Sequence, residues 1–166
     1  SEKPCRKAYQ ASWHSALVYV GATDLGTGIH NRIIRRVLDL TNNLKVFKLT
    51  RQHRYDFVNV KDRFLSGVMA LFAVRLAKTR YFYWLSYPFP EANLFGVKEG
   101  SARYRLVYFL RGHLYKFLLY KIILPHADHV FVQSEQMKHD LIRGGIPEQK
   151  MTSVPMGVSL KSVPYA

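Results

Sequence analysis

What this chain has little of narrows its reading. It holds one cysteine, Cys5, in 166 residues. No internal disulfide can form, and the composition suits a reducing compartment. Acidic residues are scarce: 11 Asp and Glu stand against 25 Lys and Arg, a formal charge of +14. That excess calls for an anionic partner, whether nucleic acid, anionic lipid or phosphorylated substrate. No run of about 18 uncharged apolar residues occurs, so no transmembrane helix is expected. The opening SEKPCRKAYQ has no apolar centre of a signal peptide. A Gly-x-Ser-x-Gly elbow is missing. So is the Gly-x-Gly-x-x-Gly fingerprint, because Gly26-Thr27-Gly28 is followed by Asn31 where the third glycine would stand. The His residues (14, 30, 53, 113, 126, 129, 139) are scattered and make no zinc pattern with one Cys. No metal and no other cofactor is expected. Repeats and low-complexity tracts are absent.

What remains is a foldable α/β chain. Hydrophobic residues make up 48% of it, enough for one domain with a sizeable core. Residues 1–14 are a basic, irregular segment. Residues 15–158 are expected to form the domain, and residues 159–166 a tail or the start of a linker. Residues 15–21 (SALVYVG) read as the first strand. A Gly-containing loop (22–29) and a helix over 29–42 follow, with Ile33, Ile34, Val37, Leu38 and Thr41 on its apolar side. Strand, Gly-rich turn, helix is an arrangement that turns backbone N–H groups toward an anion, although a plain βα turn reads the same way. Arg32, Arg35 and Arg36 extend the basic character, or form a solvated face.

Residues 44–49 (LKVFKL) and 55–60 (YDFVNV) read as two strands separated by residues 50–54. That gap is too short for a parallel crossover of a dozen or more residues. The pair is therefore expected as a hairpin, a tight corner or the scar of a deletion. Lys61, Asp62 and Arg63 follow at a strand's C-terminal end, where open α/β sheets bind ligands. Asp62 alternatively caps the next helix, which spans 64–78. Residues 80–86 (RYFYWLS) are a strand rich in sheet-favouring aromatics, and 87–100 (YPFPEANLFGVKEG) a loop with two prolines over the same edge. Residues 101–124 should be helical, bent at Gly112 and ended by Pro125. Arg103, Arg105, Arg111, Lys116 and Lys121 interleave there with Tyr and Phe. The pattern suits a helix resting on an anionic bilayer, or a long core helix with basic edges.

The most informative stretch is 127–158, ADHVFVQSEQMKHDLIRGGIPEQKMTSVPMGV. Residues 127–133 make a strand buried on both faces. Ser134 caps a helix with Met137, Leu141 and Ile142 on one stripe. Gly144-Gly145 stops it, and 151–154 re-enter as a strand before Pro155-Met156-Gly157-Val158.

In its Ala127-Asp128 pair, apolar strand Val130–Val132, Ser134, Gly145, Lys150, Val154 and Pro155-Met156-Gly157-Val158, this stretch resembles the end of the N-terminal domain of GT-B fold retaining glycosyltransferases of family four. The resemblance implies a Rossmann-like open, mainly parallel sheet with helices on both faces, one half of a GT-B fold. It implies transfer of a sugar from a nucleotide-sugar to a membrane-bound, lipid-linked or glycan acceptor, with retention and without a bound metal. A second, C-terminal domain would hold most of the donor, leaving this chain the acceptor side and half of an active site. By the same resemblance Gly26, Thr27, Gly28, His30 and Asn31 line the reaction site. Lys61, Asp62, Arg63, Tyr87, Glu91 and Ser134 edge the cleft. A cytoplasmic location, peripheral on the inner face of a membrane, would account for the charge. Departures are visible: Ser159 replaces the family's usual closing acid or amide, and no His stands in the 87–100 loop. Glu91 and Glu99 share the spacing of the family's paired glutamates, but those belong to its second domain. Two rival classes are a basic module gripping nucleic acid or another anion, and a self-sufficient nucleotide-binding enzyme. The first has no recognisable RNA-binding motif, so nucleic acid is not an expected partner.

Overall fold

The computed structural model describes residues 9–13, 16–20, 28–52, 55–100 and 104–155. The elements run β1 (Tyr9–Trp13), β2 (Ala16–Val20), α1 (Ile29–Gln52), β3 (Phe57–Lys61), α2 (Phe64–Ala77), β4 (Arg80–Leu85), α3 (Phe89–Lys98), α4 (Arg105–Phe117), a π-helical turn (Leu118–Ile123), α5 (Leu124–His126), β5 (His129–Val132), α6 (Glu135–Arg143) and β6 (Met151–Ser153). Four strands form a parallel sheet in the order β3-β4-β5-β6. The chain is α/β with a Rossmann-like sheet flanked by helices, as its alternation of strands and helices predicts.

Alternation sorts the sheet into two faces. Tyr81, Tyr83 and Leu85 of β4 and Val130 and Val132 of β5 are buried in one cluster with Leu71 and Val74 of α2, Leu119 and Ile123 of the π turn and Leu141 of α6. The opposite face carries an aromatic ladder. Phe57 stacks on Phe82 at 5.0 Å, and Phe131 lies edge-on to Phe82 at 6.0 Å and tilted against Trp84 at 5.7 Å. Gly67 lets α2 approach the sheet. A Cβ there would lie 3.1 Å from the Tyr81 hydroxyl and 3.2 Å from the Tyr83 ring, and Tyr81 donates to the Gly67 carbonyl at 3.0 Å.

The closing βαβ unit follows the sequence closely. The Ser134 hydroxyl accepts from the Met137 N–H at 3.2 Å. Gly145, at φ 89°, closes a Schellman motif: Ile146 N–H donates to Leu141 O at 3.1 Å and Gly145 N–H to Ile142 O at 2.9 Å. Two residues of the family-like run hold the unit together. Asp128 accepts from Tyr81 N–H at 2.7 Å. The Lys150 ammonium donates to the Pro125 and Ala127 carbonyls at 3.1 and 3.3 Å, satisfying acceptors left at a helix end. Residues 156–166 lie outside the described residues.

Four expectations are corrected. The strand over 44–49 does not form; α1 runs on to Gln52. No Gly or Pro interrupts it, and Val46, Leu49 and Thr50 fall on its inner side at helical spacing. Buried Thr50 returns its hydroxyl to the Val46 carbonyl at 2.8 Å. The short crossover between two strands disappears with it. The first strand pairs antiparallel with Tyr9–Trp13 in its own two-stranded sheet, so the basic N-terminal stretch is not wholly irregular. The two-proline loop is largely helix α3. Pro90 sits in its first turn, where the missing N–H costs nothing. The long helix runs through Gly112 without a break and continues one residue past Pro125, to His126. Gly112 is a contact point: a Cβ there would lie 2.9 Å from Leu94 Cγ and Cδ2 of α3. Near Pro125 the helix widens, with Leu124 N–H donating five residues back to Leu119 O. The wider turn makes room for a ring that clashes with an ordinary helix.

Candidate functional site

In a parallel sheet all strand C-termini share one edge, and the loops leaving it form the usual site. Here that edge carries residues 61–63 after β3, 86–88 after β4, Ser134 after β5 and Val154 after β6. Asp62 takes a left-handed backbone, φ 51°, which aspartate tolerates better than most residues. Its N–H donates to Trp84 O at 3.0 Å. Its Oδ1 accepts from Ser86 N–H at 2.8 Å, and its Oδ2 accepts from the Ser86 hydroxyl. Asp62 therefore clasps the exits of β3 and β4. It does not cap α2, because the N-cap is Arg63, with no side-chain cap bond. Lys61 and Arg63 are exposed, and the Lys61 ammonium lies 5.4 Å over the Trp84 ring. Beneath this clasp the Tyr83 hydroxyl is buried without a partner among the described residues. Burial, then the Asp62 charge, pushes its phenol well above the usual range.

Past Ser86 the chain enters α3. Tyr87, Pro88, Glu91, Ala92, Phe95 and Gly96 line an open cavity of about 550 Å³. Tyr87 and Phe89 meet edge to face at 4.9 Å. Glu91 stands in the first turn of α3, where the helix dipole favours a carboxylate. Its Oε1 accepts from the Tyr120 hydroxyl at 2.9 Å. Its Oε2 is buried and makes no hydrogen bond among the described residues. Burial first, then the Glu91 charge and hydrogen bond, hold the Tyr120 phenol far above its usual range. Glu99 caps the other end of α3, so the two glutamates do not converge.

Helix α4 packs along α3 at Gly112 and Leu94. Around the helix, Leu106, Leu110, Leu114 and Phe117 form one stripe, each more than half exposed: 70, 59, 54 and 55%. Arg105 and Lys116 border it on one side and Arg111 on the other at helical spacing, all exposed. The Arg111 guanidinium lies 5.0 Å over the Tyr115 ring. Lys121 is exposed in the π turn. Among the described residues, no helix is long and apolar enough to cross a membrane, and no group of three or more His, Cys, Asp or Glu converges as a metal site would.

Of the residues picked from sequence, Lys61, Asp62 and Arg63 stand at the β3 exit, with Asp62 bonded to Ser86 at the β4 exit, and Tyr87 and Glu91 line the cavity that follows. Ser134 is occupied as the α6 cap. Gly28 is exposed just before α1, and Asn31 is half-buried in its first turn. Gly26, Thr27 and Arg103 lie outside the described residues, as does the side chain of His30. Tyr120 escaped the sequence reading. It stands 29 positions from Glu91, and no local pattern announces such a pairing. The sequence profile of Glycosyltransferase Family 4 matches residues 15–162. No curated protein matches the chain, and no solved structure does.

Proposed function

Because this chain belongs to glycosyltransferase family 4, we propose that it is the acceptor side of an enzyme that moves a sugar, with retention, from a nucleotide-sugar to a lipid-linked acceptor at an anionic membrane surface. The observation that carries this reading is α4. A stripe of exposed Leu and Phe bordered on both sides by Arg and Lys matches an interfacial helix. The apolar side chains enter the acyl boundary, and the cations remain at headgroup level. The net charge of +14 draws the chain to anionic lipid. Helix α3, with the cavity on it, lies beside α4, so an acceptor anchored in the bilayer would arrive next to the strand exits. By the family reading, residues 26–28 and Asn31 belong to the chain segment that would meet the donor. A second, C-terminal domain contributes the rest of the donor site. The departing diphosphate is stabilised by backbone N–H groups and basic side chains, the preorganised electrostatics that leaving-group chemistry needs.

Sedimentation with vesicles tests the membrane half of the reading. Vesicles rich in phosphatidylglycerol are expected to carry the chain down, and neutral phosphatidylcholine vesicles to leave most of it in solution. Raising salt from 0.05 to 0.5 M should weaken the association. Transfer of labelled sugar from UDP-, GDP- or ADP-sugars into lipid extract tests the chemistry, with the C-terminal domain supplied. Equal sedimentation with both vesicle types, or no label in lipid from any donor, would sink the proposal.

A further inference from the structure

The cavity at the start of α3 differs in charge from the rest of the molecule. In a chain of net charge +14, its lining among the described residues holds no Lys or Arg. It has one carboxylate, two exposed aromatic rings (Tyr87 and Phe95) and the small Ala92 and Gly96. From this lining we infer that the cavity binds the neutral, hydroxyl-bearing sugar ring of the acceptor and excludes its phosphate, with Glu91 as the hydroxyl-binding residue and Tyr120 as the residue that positions it. The inference rests on the acceptor-side reading above and names the part of the acceptor that this cavity takes.

The carboxylate supplies the chemistry. A buried carboxylate oxygen without a hydrogen bond is costly, and in a folded protein it asks for an explanation. Glu91 Oε1 is held by Tyr120 at 2.9 Å, while Oε2 has no partner among the described residues. A carboxylate with one oxygen fixed and one free accepts a hydroxyl proton strongly, because the acceptor is charged. The terminal torsion of a glutamate is soft. The two oxygens turn together, so a partial rotation brings Oε2 toward the cavity that Glu91 lines while the rotatable Tyr120 hydroxyl follows Oε1. The same charge repels phosphate. Tyr87 and Phe95, both exposed, offer flat apolar faces for the C–H side of a sugar ring. The basic residues that would greet a phosphate, Lys61 and Arg63, stand at the β3 exit instead, and Arg105, Arg111 and Lys116 stand on α4.

The test uses the chain with methyl α-glycosides of glucose, mannose and galactose, each titrated to about 50 mM, and inorganic phosphate over the same range. Ligand-observed NMR reads saturation and the Tyr87 and Phe95 resonances locate it. At least one glycoside is expected to saturate. Glu91→Ala should weaken it at least tenfold, Phe95→Ala, at an exposed position, about fivefold, and Tyr120→Phe about threefold. In a Glu91→Ala background Tyr120→Phe should weaken it no further, because its effect passes through the carboxylate; a merely structural tyrosine would add its own loss. Saturation by none of the glycosides overturns the inference, as does saturation that ignores Glu91 and Phe95 or phosphate shifting the cavity resonances. Glycoside binding that follows these variants, combined with loss of vesicle binding and sugar transfer in the wild-type chain, would leave this site standing and remove the membrane enzyme instead.

Discussion

Helix α4 and the π turn that continues it are one helical run in two opposite surroundings. From Arg105 to Phe117 nearly every side chain meets solvent, and Gly112 is the buried exception. From Leu118 onward Leu119, Ile123 and Leu124 are sealed at 0% exposure against α2 and the sheet. Both halves are rich in Leu, Tyr and Lys or Arg, so composition alone does not tell them apart. The difference teaches that the two sets of apolar side chains do different work. The second half is core and holds the fold. The first half buries little of its apolar surface among the described residues, so packing against them does not account for its Leu and Phe, and the proposed membrane contact would.

The largest break in this comparison comes from the sealed half. Ile123→Ala should cost about 2–5 kcal/mol, the range for a large aliphatic side chain removed from a packed core, read as a fall in urea midpoint. Vesicle sedimentation below that midpoint should be unchanged. Next is Gly112→Val, which drives a side chain into Leu94 where even a Cβ would sit at 2.9 Å. It should cost about 1–3 kcal/mol and broaden the α3 resonances, since it pries apart the two helices that bring the halves together. Alkali sharpens the contrast further. Burial raises the Tyr81, Tyr83 and Tyr120 phenols above their ordinary value of about 10. They keep their protons in the folded chain at a pH where the unfolded chain releases them. Stability is therefore full below about pH 10 and falls as pH rises above it. Absorbance at 295 nm should show these phenols ionising together with unfolding. The smallest effect on stability belongs to the outer half. Leu110→Ser should move the urea midpoint by no more than about 0.5 kcal/mol equivalent, yet reduce affinity for anionic vesicles about tenfold. A core-like loss of stability at Leu110 would erase the distinction between the halves.

The sequence was most legible where local rules act alone. In the closing stretch, Ser134, Gly144-Gly145 and the apolar stripe between them predict strand, cap, helix and stop, and each forms because its signal is complete within a dozen residues. The reading failed where one pattern serves two structures. LKVFKL alternates like a strand, but six residues satisfy helical spacing equally well, and the unbroken run from Ile29 decided for helix. The two prolines at 88 and 90 read as loop, while a helix's first turn accepts them as readily. The site was half legible. Asp62, Tyr87 and Glu91 could be picked out because a parallel sheet directs ligands to its strand ends. Their partners, Ser86 for Asp62 and Tyr120 for Glu91, are set by tertiary packing across 24 and 29 positions. Nor could the aspartate's two readings, cap or cleft, be separated before its left-handed backbone and its bonds to Ser86 were visible.

The π turn has a bearing on how this protein can vary. Its bonds reach back five residues where an α-helix needs four, so the stretch 118–123 contains one residue beyond what the helix requires. A residue gained or lost at the start of this stretch rotates everything N-terminal to it by about 100° about the helix axis, while Ile123 and Leu124 stay in register with the sheet. A single-codon insertion or deletion in this stretch would thus re-aim the whole outer helix in one step, without altering a side chain on either half.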